Sequence, residues 1–189
     1  MGIHTCWRIK MNQIQKIINP MQKPQIEKVV VNMSVGKSGE ALQKSIQVLE
    51  ELTNKKPCQR KAKKSIRDWG IRKSEPIACM VTLRGQNAIN FLKRAFDAVE
   101  NKLPISCFDV NGNFSFGIKE HIEIPGIKYD PKLGIFGMDI CITTKMPGYR
   151  IKRRHKLKSK VGKKQRVTPE ETRDYISELF NIKIQGSTD

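Results

Sequence analysis

The sequence feature that most constrains the fold is a β-strand pattern that leads through a glycine into an amphipathic helix pattern, and it occurs twice. Residues 26 to 35 are rich in β-branched side chains, with every second side chain apolar from Val29 to Val35, and the same alternation returns in residues 77 to 84. Gly36 and Gly85 end these two strands, and apolar residues at helical spacing follow each glycine. Two strands that each lead into a helix predict a sheet with helices packed on one face.

The alternation divides each predicted strand into an apolar face and a more polar face. The inward-facing residues are expected to be Val29, Val31, Met33 and Val35 in the first strand and Ile77, Cys79, Val81 and Leu83 in the second. Opposite them lie Asn32 and Ser34 in the first strand and Thr82 and Arg84 in the second.

The first helix is expected to end near Asn54 and the second to run from Ala88 to Leu103, where Pro104 stops it. A turn at residues 111 to 113 then precedes alternating apolar residues at 114 to 118, and residues 138 to 144 form a further strand with Met138, Ile140 and Ile142 inward. Thr168 starts a capping box for a last helix.

These patterns predict an α+β protein with one domain and a predominantly antiparallel sheet. We assign residues 1 to 20 to an N-terminal extension with a first helix, and residues 21 to 146 to the α+β domain. Residues 147 to 189 form an extended basic arm and a C-terminal helix that docks on the domain. Met1, Met11 and Met21 are alternative starts, and no secretion signal or spanning segment is recognised, so a cytoplasmic protein without a membrane contact is expected.

Positive charge is concentrated in two segments, residues 55 to 73 and residues 145 to 166. The first holds nine Lys and Arg against one acid, and the second holds eleven against none. Since these segments contribute +8 and +11 of the net +18, the rest of the chain carries a net charge of −1. Two concentrated basic segments beside a neutral remainder indicate a polyanionic partner, and nucleic acid is the leading candidate.

Neither a metal site nor a catalytic site is predicted. The five cysteines are odd in number and have no C-x-x-C pair, so we expect no zinc, no disulfide framework and no cofactor. Cys79 and Cys141 fall in predicted strands and are expected in the core. His121 and Glu123 are expected as a surface pair on one strand face, and the chain is not expected to be an enzyme.

Four long motifs in one order carry a resemblance to a known family. They are VVVNMSVGKSGE, KAKKSIRDWGIRKSEPIACMVTLRG, FDVNGNFSFGIKEHIEIPGIKYD and GMDICITT. In this order they resemble the universal large-subunit ribosomal protein family that binds 5S rRNA, number five in the bacterial naming. The resemblance covers about residues 20 to 184, and the segments MPGYRIKRRHK and TPEETRDYISELFNIKI are similar to its archaeal and eukaryotic branch.

The resemblance implies a place on the cytoplasmic ribosome, in the central protuberance of the large subunit. The implied partners are 5S rRNA, large-subunit rRNA, the peptidyl-site tRNA, a small-subunit head protein and other central-protuberance proteins, with no homo-oligomer. Around Lys55 and Arg60 the chain departs from the family, whose members commonly carry Gln and Thr there, and we expect charge to replace specific hydrogen bonds at these positions.

By motif position the resemblance implies four groups of contact residues. The 5S rRNA contacts would be Asn32, Ser34, Lys61, Lys63, Lys64, Ser65, Thr82 and Arg84. The loop near the tRNA would present Arg67, Trp69, Arg72 and Lys73. The arm would contact rRNA phosphates through Arg150, Lys152, Arg153, Arg154, Lys156 and Lys158, and the intersubunit contact would fall on Asn111, Gly112 and Asn113.

Two alternatives stay open at this point. Trp69, isolated among polar neighbours, is expected either to stack on RNA or to cap the core. The alternative function is that of an architectural RNA-binding or RNA-chaperone protein outside the ribosome, because charge alone does not distinguish it from a ribosomal protein.

Overall fold

The computed structural model describes residues 20–127 and 130–186. The strands are β1 (Gln25–Ser34), β2 (Cys58–Lys61), β3 (Pro76–Leu83), β4 (Lys102–Pro104), β5 (Phe114–Ile118), β6 (Met138–Lys145) and β7 (Lys183–Gln185). The α-helices are α1 (Glu40–Thr53), α2 (Gln86–Ala98), α3 (Arg150–Arg153) and α4 (Pro169–Phe180), with short 3-10 helices at Pro20–Gln22, Ile105–Cys107, His121–Glu123 and Lys163–Gln165. Apart from Pro20, the predicted N-terminal extension lies outside the described residues, as does Cys6.

Five strands form one antiparallel sheet in the order β2-β3-β1-β6-β5. The central strand β1 pairs with β3 on one side, where Val31 faces Val81, and with β6 on the other, where Val31 faces Ile140. The helices α1 and α2 follow β1 and β3, so the two predicted strand–glycine–helix units are confirmed. The α+β fold with a mostly antiparallel sheet is therefore as the sequence predicted.

The core lies between one face of the sheet and the helices. All the strand residues predicted to point inward are buried except Val35 and Ile77, which are half-buried. Phe96 of α2 stacks on Phe116 of β5 with ring centroids 5.2 Å apart and meets Phe180 of α4 edge-on at 5.0 Å. Because burying a large aromatic side chain stabilises a fold by about 1.5 to 3 kcal/mol, this cluster fixes α4 on the domain.

The second helix is shorter than predicted. It ends at Ala98, and Glu100 and Asn101 then adopt left-handed φ angles of 54° and 55°. Leu103, which the helical spacing had included, lies buried in β4, where it pairs in parallel with Ile184 of β7. The helical spacing of Leu103 was misleading because this residue reaches the core from a short strand.

Two local predictions were wrong, and one strand was missed. His121 and Glu123 lie in a 3-10 helix instead of a strand, and His121 is buried instead of forming a surface pair. Cys141 is exposed, because Met138, Ile140 and Ile142 turn inward and the alternation puts Cys141 on the other face, while Cys79 is buried as predicted. Strand β2 was not predicted, since its residues CQRK are all exposed and carry no apolar alternation.

The C-terminal part begins with an exposed arm and ends with the predicted capped helix. Thr168 accepts a hydrogen bond from the backbone N–H of Glu171, whose side chain accepts one from the N–H of Thr168, which completes the capping box. The arm is mostly irregular and exposed, but it also contains α3, which the sequence did not predict. No helix among the described residues has the length and apolar character that crossing a bilayer takes.

Candidate RNA interface

One face of the five-stranded sheet is not part of the core, and we call it the open face. Apart from the buried Ala78, its side chains are half-buried or exposed, in contrast to the buried residues that alternate with them. A row of cross-strand partners runs over all five strands through Cys58, Met80, Asn32, Asp139 and Gly117, and the next row holds Thr82, Val30, Cys141 and Ser115. The open face is thus a rigid surface whose backbone hydrogen bonds are made within the sheet.

Asn32 and Thr82 lie in neighbouring rows of this face on adjacent strands. Asn32 faces Met80 directly, so Thr82 is its diagonal neighbour, at a distance of about 7 to 8 Å. The amide nitrogen of Asn32 donates to Ser34 Oγ at 3.0 Å, which orients the amide group. Two groups that can both donate and accept hydrogen bonds are therefore held at a fixed spacing on the open face.

The edge of the open face is basic, and the structure brings Arg60 to it. Arg60 pairs with Ala78 in the ladder between β2 and β3, and its Nε contacts Met80 Sδ beside Asn32. Lys61 ends β2, Lys63 and Lys64 follow it, and all three are exposed, as is Arg84 directly after β3. Lys55 lies between α1 and β2 and is half-buried. The open face thus combines a hydrogen-bonding centre with a positively charged margin.

Asp139 and Lys28 were missed among the site residues, although alternation on their strands places both on the open face. Asp139 is the cross-strand neighbour of Asn32 and is exposed, and Lys28 faces Thr143. A carboxylate repels phosphates but accepts hydrogen bonds from ribose hydroxyls and base amino groups. The centre of the face is therefore suited to sugars and base edges, and its margin to phosphates.

The loop between β2 and β3 is a small hairpin, which we call the basic hairpin (residues 62–75). The backbone groups of Ile66 and Ile71 hydrogen-bond each other in both directions, at 2.9 and 3.1 Å. The turn between them carries Arg67 and Trp69 and ends at Gly70, whose φ of +66° suits a residue without a side chain. Ser65 Oγ accepts from the backbone N–H of Lys73 at 2.9 Å and ties the two arms of the hairpin together.

Trp69 lies at the tip of the basic hairpin with 72% of its surface exposed. The alternative that Trp69 caps the core is therefore wrong. Arg67, Arg72 and Lys73 are exposed on the same hairpin. An exposed indole flanked by cations can stack on an unpaired base or a ribose while its neighbours neutralise phosphates.

Glu75 anchors the base of the basic hairpin to the loop before α1. Its carboxylate accepts a hydrogen bond from Ser38 Oγ and another from the backbone N–H of Arg72 at 2.9 Å. Both hydrogen bonds lower the pKa of Glu75 below its usual value, and the one from Ser38 has the larger effect. The carboxylate stays charged and holds the hairpin in one orientation beside the open face.

The turn that was expected to contact the small subunit packs against the C-terminal helix. The Gly112 carbonyl accepts hydrogen bonds from Thr144 Oγ1 at 2.6 Å and Thr172 Oγ1 at 3.0 Å, and Gly112 is buried. Asn113 is half-buried, and Asn111 is exposed next to Val110, which is 83% exposed. In this turn the surface open to an external partner is therefore that of Val110 and Asn111.

The basic arm (residues 147–166) presents the six predicted phosphate contacts as exposed side chains. It is held to the domain at several points. Arg153 forms an ion pair with Glu27 of β1, and the side chain of Gln165 donates to the carbonyl of Met21 at 3.2 Å. Within the arm, Gln165 also donates to the carbonyl of Pro147 at 3.2 Å. The backbone N–H of Val167 donates to the Tyr149 hydroxyl at 3.3 Å. The arm therefore has a defined course on the protein itself.

The fold and these surfaces define a class of protein, a basic α+β protein whose exposed surfaces suit a nucleic-acid partner. Residues 19–72 match the family described as Ribosomal protein L5, and residues 76–173 match the C-terminus of the same ribosomal protein family. The Aeropyrum pernix large ribosomal subunit protein uL5 is 54% identical over 87% of this chain and 86% of its own length. The uL5 proteins of Pyrobaculum aerophilum and Methanosphaera stadtmanae are 52% and 46% identical over 88% and 89% of this chain and 93% and 100% of their own lengths.

The chain belongs to the uL5 family of large ribosomal subunit proteins. It is accordingly a structural, non-enzymatic component of the cytoplasmic ribosome, and rRNA is its partner. This membership confirms the resemblance found in the sequence motifs and favours the ribosomal function over an RNA chaperone outside the ribosome.

Proposed function

We propose that the open face binds 5S rRNA in the central protuberance of the large subunit. The observation that carries this proposal is the arrangement of Asn32 and Thr82 on a rigid, exposed sheet face whose margin is basic. RNA helices present 2′-hydroxyls and base edges in a wide, shallow minor groove, and proteins recognise them by shape through such contacts. Asn32, Ser34 and Thr82 supply hydrogen bonds there, and Lys61, Lys63, Lys64, Ser65 and Arg84 contact the flanking backbone.

Further partners are assigned to the other exposed surfaces. The basic hairpin, with Arg67, Trp69, Arg72 and Lys73, approaches the peptidyl-site tRNA, because its exposed indole and cations suit a folded RNA. The exposed cations of the basic arm contact rRNA phosphates. The turn at Asn111 faces a small-subunit head protein, and other central-protuberance proteins lie nearby. These assignments rest on the family motifs together with the exposure of the residues concerned.

The experiment that tests the open-face proposal is a binding titration with cognate 5S rRNA and with a control RNA of tRNA size. Replacing Asn32→Ala and Thr82→Ala together removes two hydrogen-bonding side chains and leaves the net charge unchanged. Each lost hydrogen bond costs about 0.5 to 1.5 kcal/mol, so affinity for 5S rRNA should fall roughly 10- to 100-fold. The loss should persist at every salt concentration because no phosphate contact is removed.

A matched control is Asn90→Ala with Ser106→Ala, which removes an amide and a hydroxyl from exposed positions away from the sheet. This control should bind 5S rRNA as the unmodified protein does. If both RNAs bind equally well, and the open-face substitutions change nothing, the chain binds as a basic polyelectrolyte and the proposal is wrong.

A further inference from the structure

A large cavity lies beneath the basic arm, at the end of the sheet opposite the basic hairpin. Its volume is about 890 Å³, within the range of about 300 to 1,000 Å³ that small-molecule sites occupy. One wall is formed by the sheet, at Thr143, and by the turn before β5, at Asn111 and Asn113. The other wall is the arm. The arm folds over this space because Gln165 donates to the Met21 carbonyl and Arg153 pairs with Glu27 of β1.

The charge of this cavity is strongly unbalanced. Its lining contains one carboxylate, Glu27, and five cations, which are Lys152, Arg153, Lys158, Lys160 and Arg166. The remaining cations of the arm do not line it, and these are Arg150, Arg154, Lys156, Lys163 and Lys164. The arm therefore has an inner set of cations that converge on one space and an outer set that faces solvent.

Glu27 is placed in the cavity by an irregularity of the sheet. The register between β1 and β6 shifts between Ile26 and Lys28, so Glu27 is the extra residue of a β-bulge, a feature that re-aims a side chain. Its side chain is only 11% exposed and pairs with Arg153, whose side chain is 51% exposed. The ion pair holds Arg153 at the cavity while four other lining cations have no carboxylate within it.

We propose that this cavity binds one nucleotide unit, with Arg153 and Lys158 on its phosphate and with Arg153 exchanging Glu27 for the phosphate. Guanidinium and ammonium groups are the side chains that recognise phosphate, and an arginine can hold it with two parallel hydrogen bonds. Asn113 and Thr143 supply donors and acceptors for the sugar and base. The inference rests on the proposed RNA contact of the basic arm and does not involve Asn32 or Thr82, which do not line the cavity.

The test compares two double substitutions that remove the same charge from the same arm. Arg153→Gln with Lys158→Gln removes cavity cations, and Arg150→Gln with Lys156→Gln removes outer cations. Binding is measured for inorganic phosphate, for uridine 5′-monophosphate by equilibrium dialysis and for a 5′-phosphorylated hexauridylate by fluorescence anisotropy. We expect the cavity pair to weaken nucleotide and oligonucleotide binding by at least about tenfold, and the outer pair by less than about threefold.

Glu27→Gln gives an effect of opposite sign. It releases Arg153 from its ion pair, so both nucleotide ligands should bind roughly two- to fivefold more tightly. A thermal melt of each variant checks that the fold is intact. Tighter binding of the hexauridylate than of the mononucleotide would identify an RNA chain as the source of the nucleotide, and equal binding would identify a free nucleotide.

Equal losses from the cavity pair and the outer pair would overturn the proposal, because the arm would then act through its total charge alone. It would also be overturned if inorganic phosphate bound as tightly as the mononucleotide, since the cavity would then recognise no more than an anion. Selective 5S rRNA binding and its loss with Asn32→Ala and Thr82→Ala report on the open face separately, so failure of one proposal is distinguishable from failure of the other.

Discussion

At the scale of single residues, several positions carry constraints that composition does not reveal. Gly112 has a φ of +72°, and a Cβ atom there would lie 2.6 Å from Thr172 Oγ1 and 2.9 Å from Val167 Cγ1. The close approach allows the Gly112 carbonyl to accept hydrogen bonds from both Thr144 and Thr172. Through its carbonyl, Gly112 therefore links the turn before β5 to β6 and to the C-terminal helix.

Gly112→Ala should destabilise the protein by about 2 to 4 kcal/mol, because it adds a steric clash to the strain of a left-handed backbone. The control is Gly36→Ala, at a φ of +76° with no atom within 4 Å of the added Cβ, where only the backbone strain of about 1 to 2 kcal/mol applies. Urea unfolding of the two variants measures the difference. Equal losses would mean that the packing around Gly112 yields without cost.

His121 makes stability depend on pH. Burial lowers its pKa below the usual 6.5, although the carboxylates of Glu51 and Glu120 act in the opposite direction. Its Nδ1 accepts a hydrogen bond from the backbone N–H of Phe136 at 3.3 Å, which requires an unprotonated nitrogen. Because the folded pKa is below the unfolded one, the unfolded chain takes up the proton first as pH falls. The stabilising contribution is therefore complete above about pH 6.5 and is lost as the pH falls below it.

We expect the urea concentration at the midpoint of unfolding to decrease as the pH is lowered from about 7.5 to 5.5. His121→Gln should remove part of this pH dependence. The comparison variant is His155→Gln, in the exposed arm, which should keep the full dependence. If the pH dependence of the His121 variant equals that of the unmodified protein, protonation of His121 does not couple to unfolding.

At the scale of elements, the α4 helix depends on its N-terminal cap. Thr168→Ala removes a hydrogen bond to the N–H of Glu171 and should cost about 1 kcal/mol, whereas Thr168→Ser keeps the hydroxyl and should cost a few tenths. Since Phe180 of this helix packs on Phe96, the loss should appear in global thermal unfolding as well as in exchange of the helix amides. A loss confined to amide exchange would show that α4 unfolds separately from the domain.

Elements that bury one face were predictable, and elements held by pairing alone were not. The periodicity of β1, β3, α1 and most of α2 follows from burial of every second or every third to fourth residue. Strand β2 exposes all its side chains and forms through its ladder with β3, so no apolar pattern marks it. The same holds for the site. Alternation predicted Asn32 and Thr82 on one face, but the cavity depends on contact between Glu27 and Arg153, which are far apart in the chain.

At the scale of the whole molecule, recognition and electrostatic attraction are separated in space. The centre of the open face holds neutral hydrogen-bonding groups and Asp139. The positive charge is concentrated elsewhere, in residues 55 to 73, which include β2 and most of the basic hairpin, and in residues 145 to 166, which include the basic arm. Hydrogen bonds from the centre of the face add to RNA affinity by an amount that does not depend on salt. Phosphate contacts from the basic segments add an amount that decreases as the salt concentration rises.

This separation predicts that two sets of substitutions act on different features of 5S rRNA binding measured across salt. Changing Arg150, Arg154 and Lys156 of the outer arm to Gln should lower the slope of log affinity against log salt by about 2 to 3 if all three contact phosphate, and should cost little affinity at high salt. Asn32→Ala with Thr82→Ala should shift the whole line to weaker binding without changing its slope. Filter-binding titrations between about 50 and 200 mM salt measure both parameters. An unchanged slope for the arm variant would show that the outer cations remain hydrated in the complex, and 5S rRNA would then be held by the sheet and its margin alone.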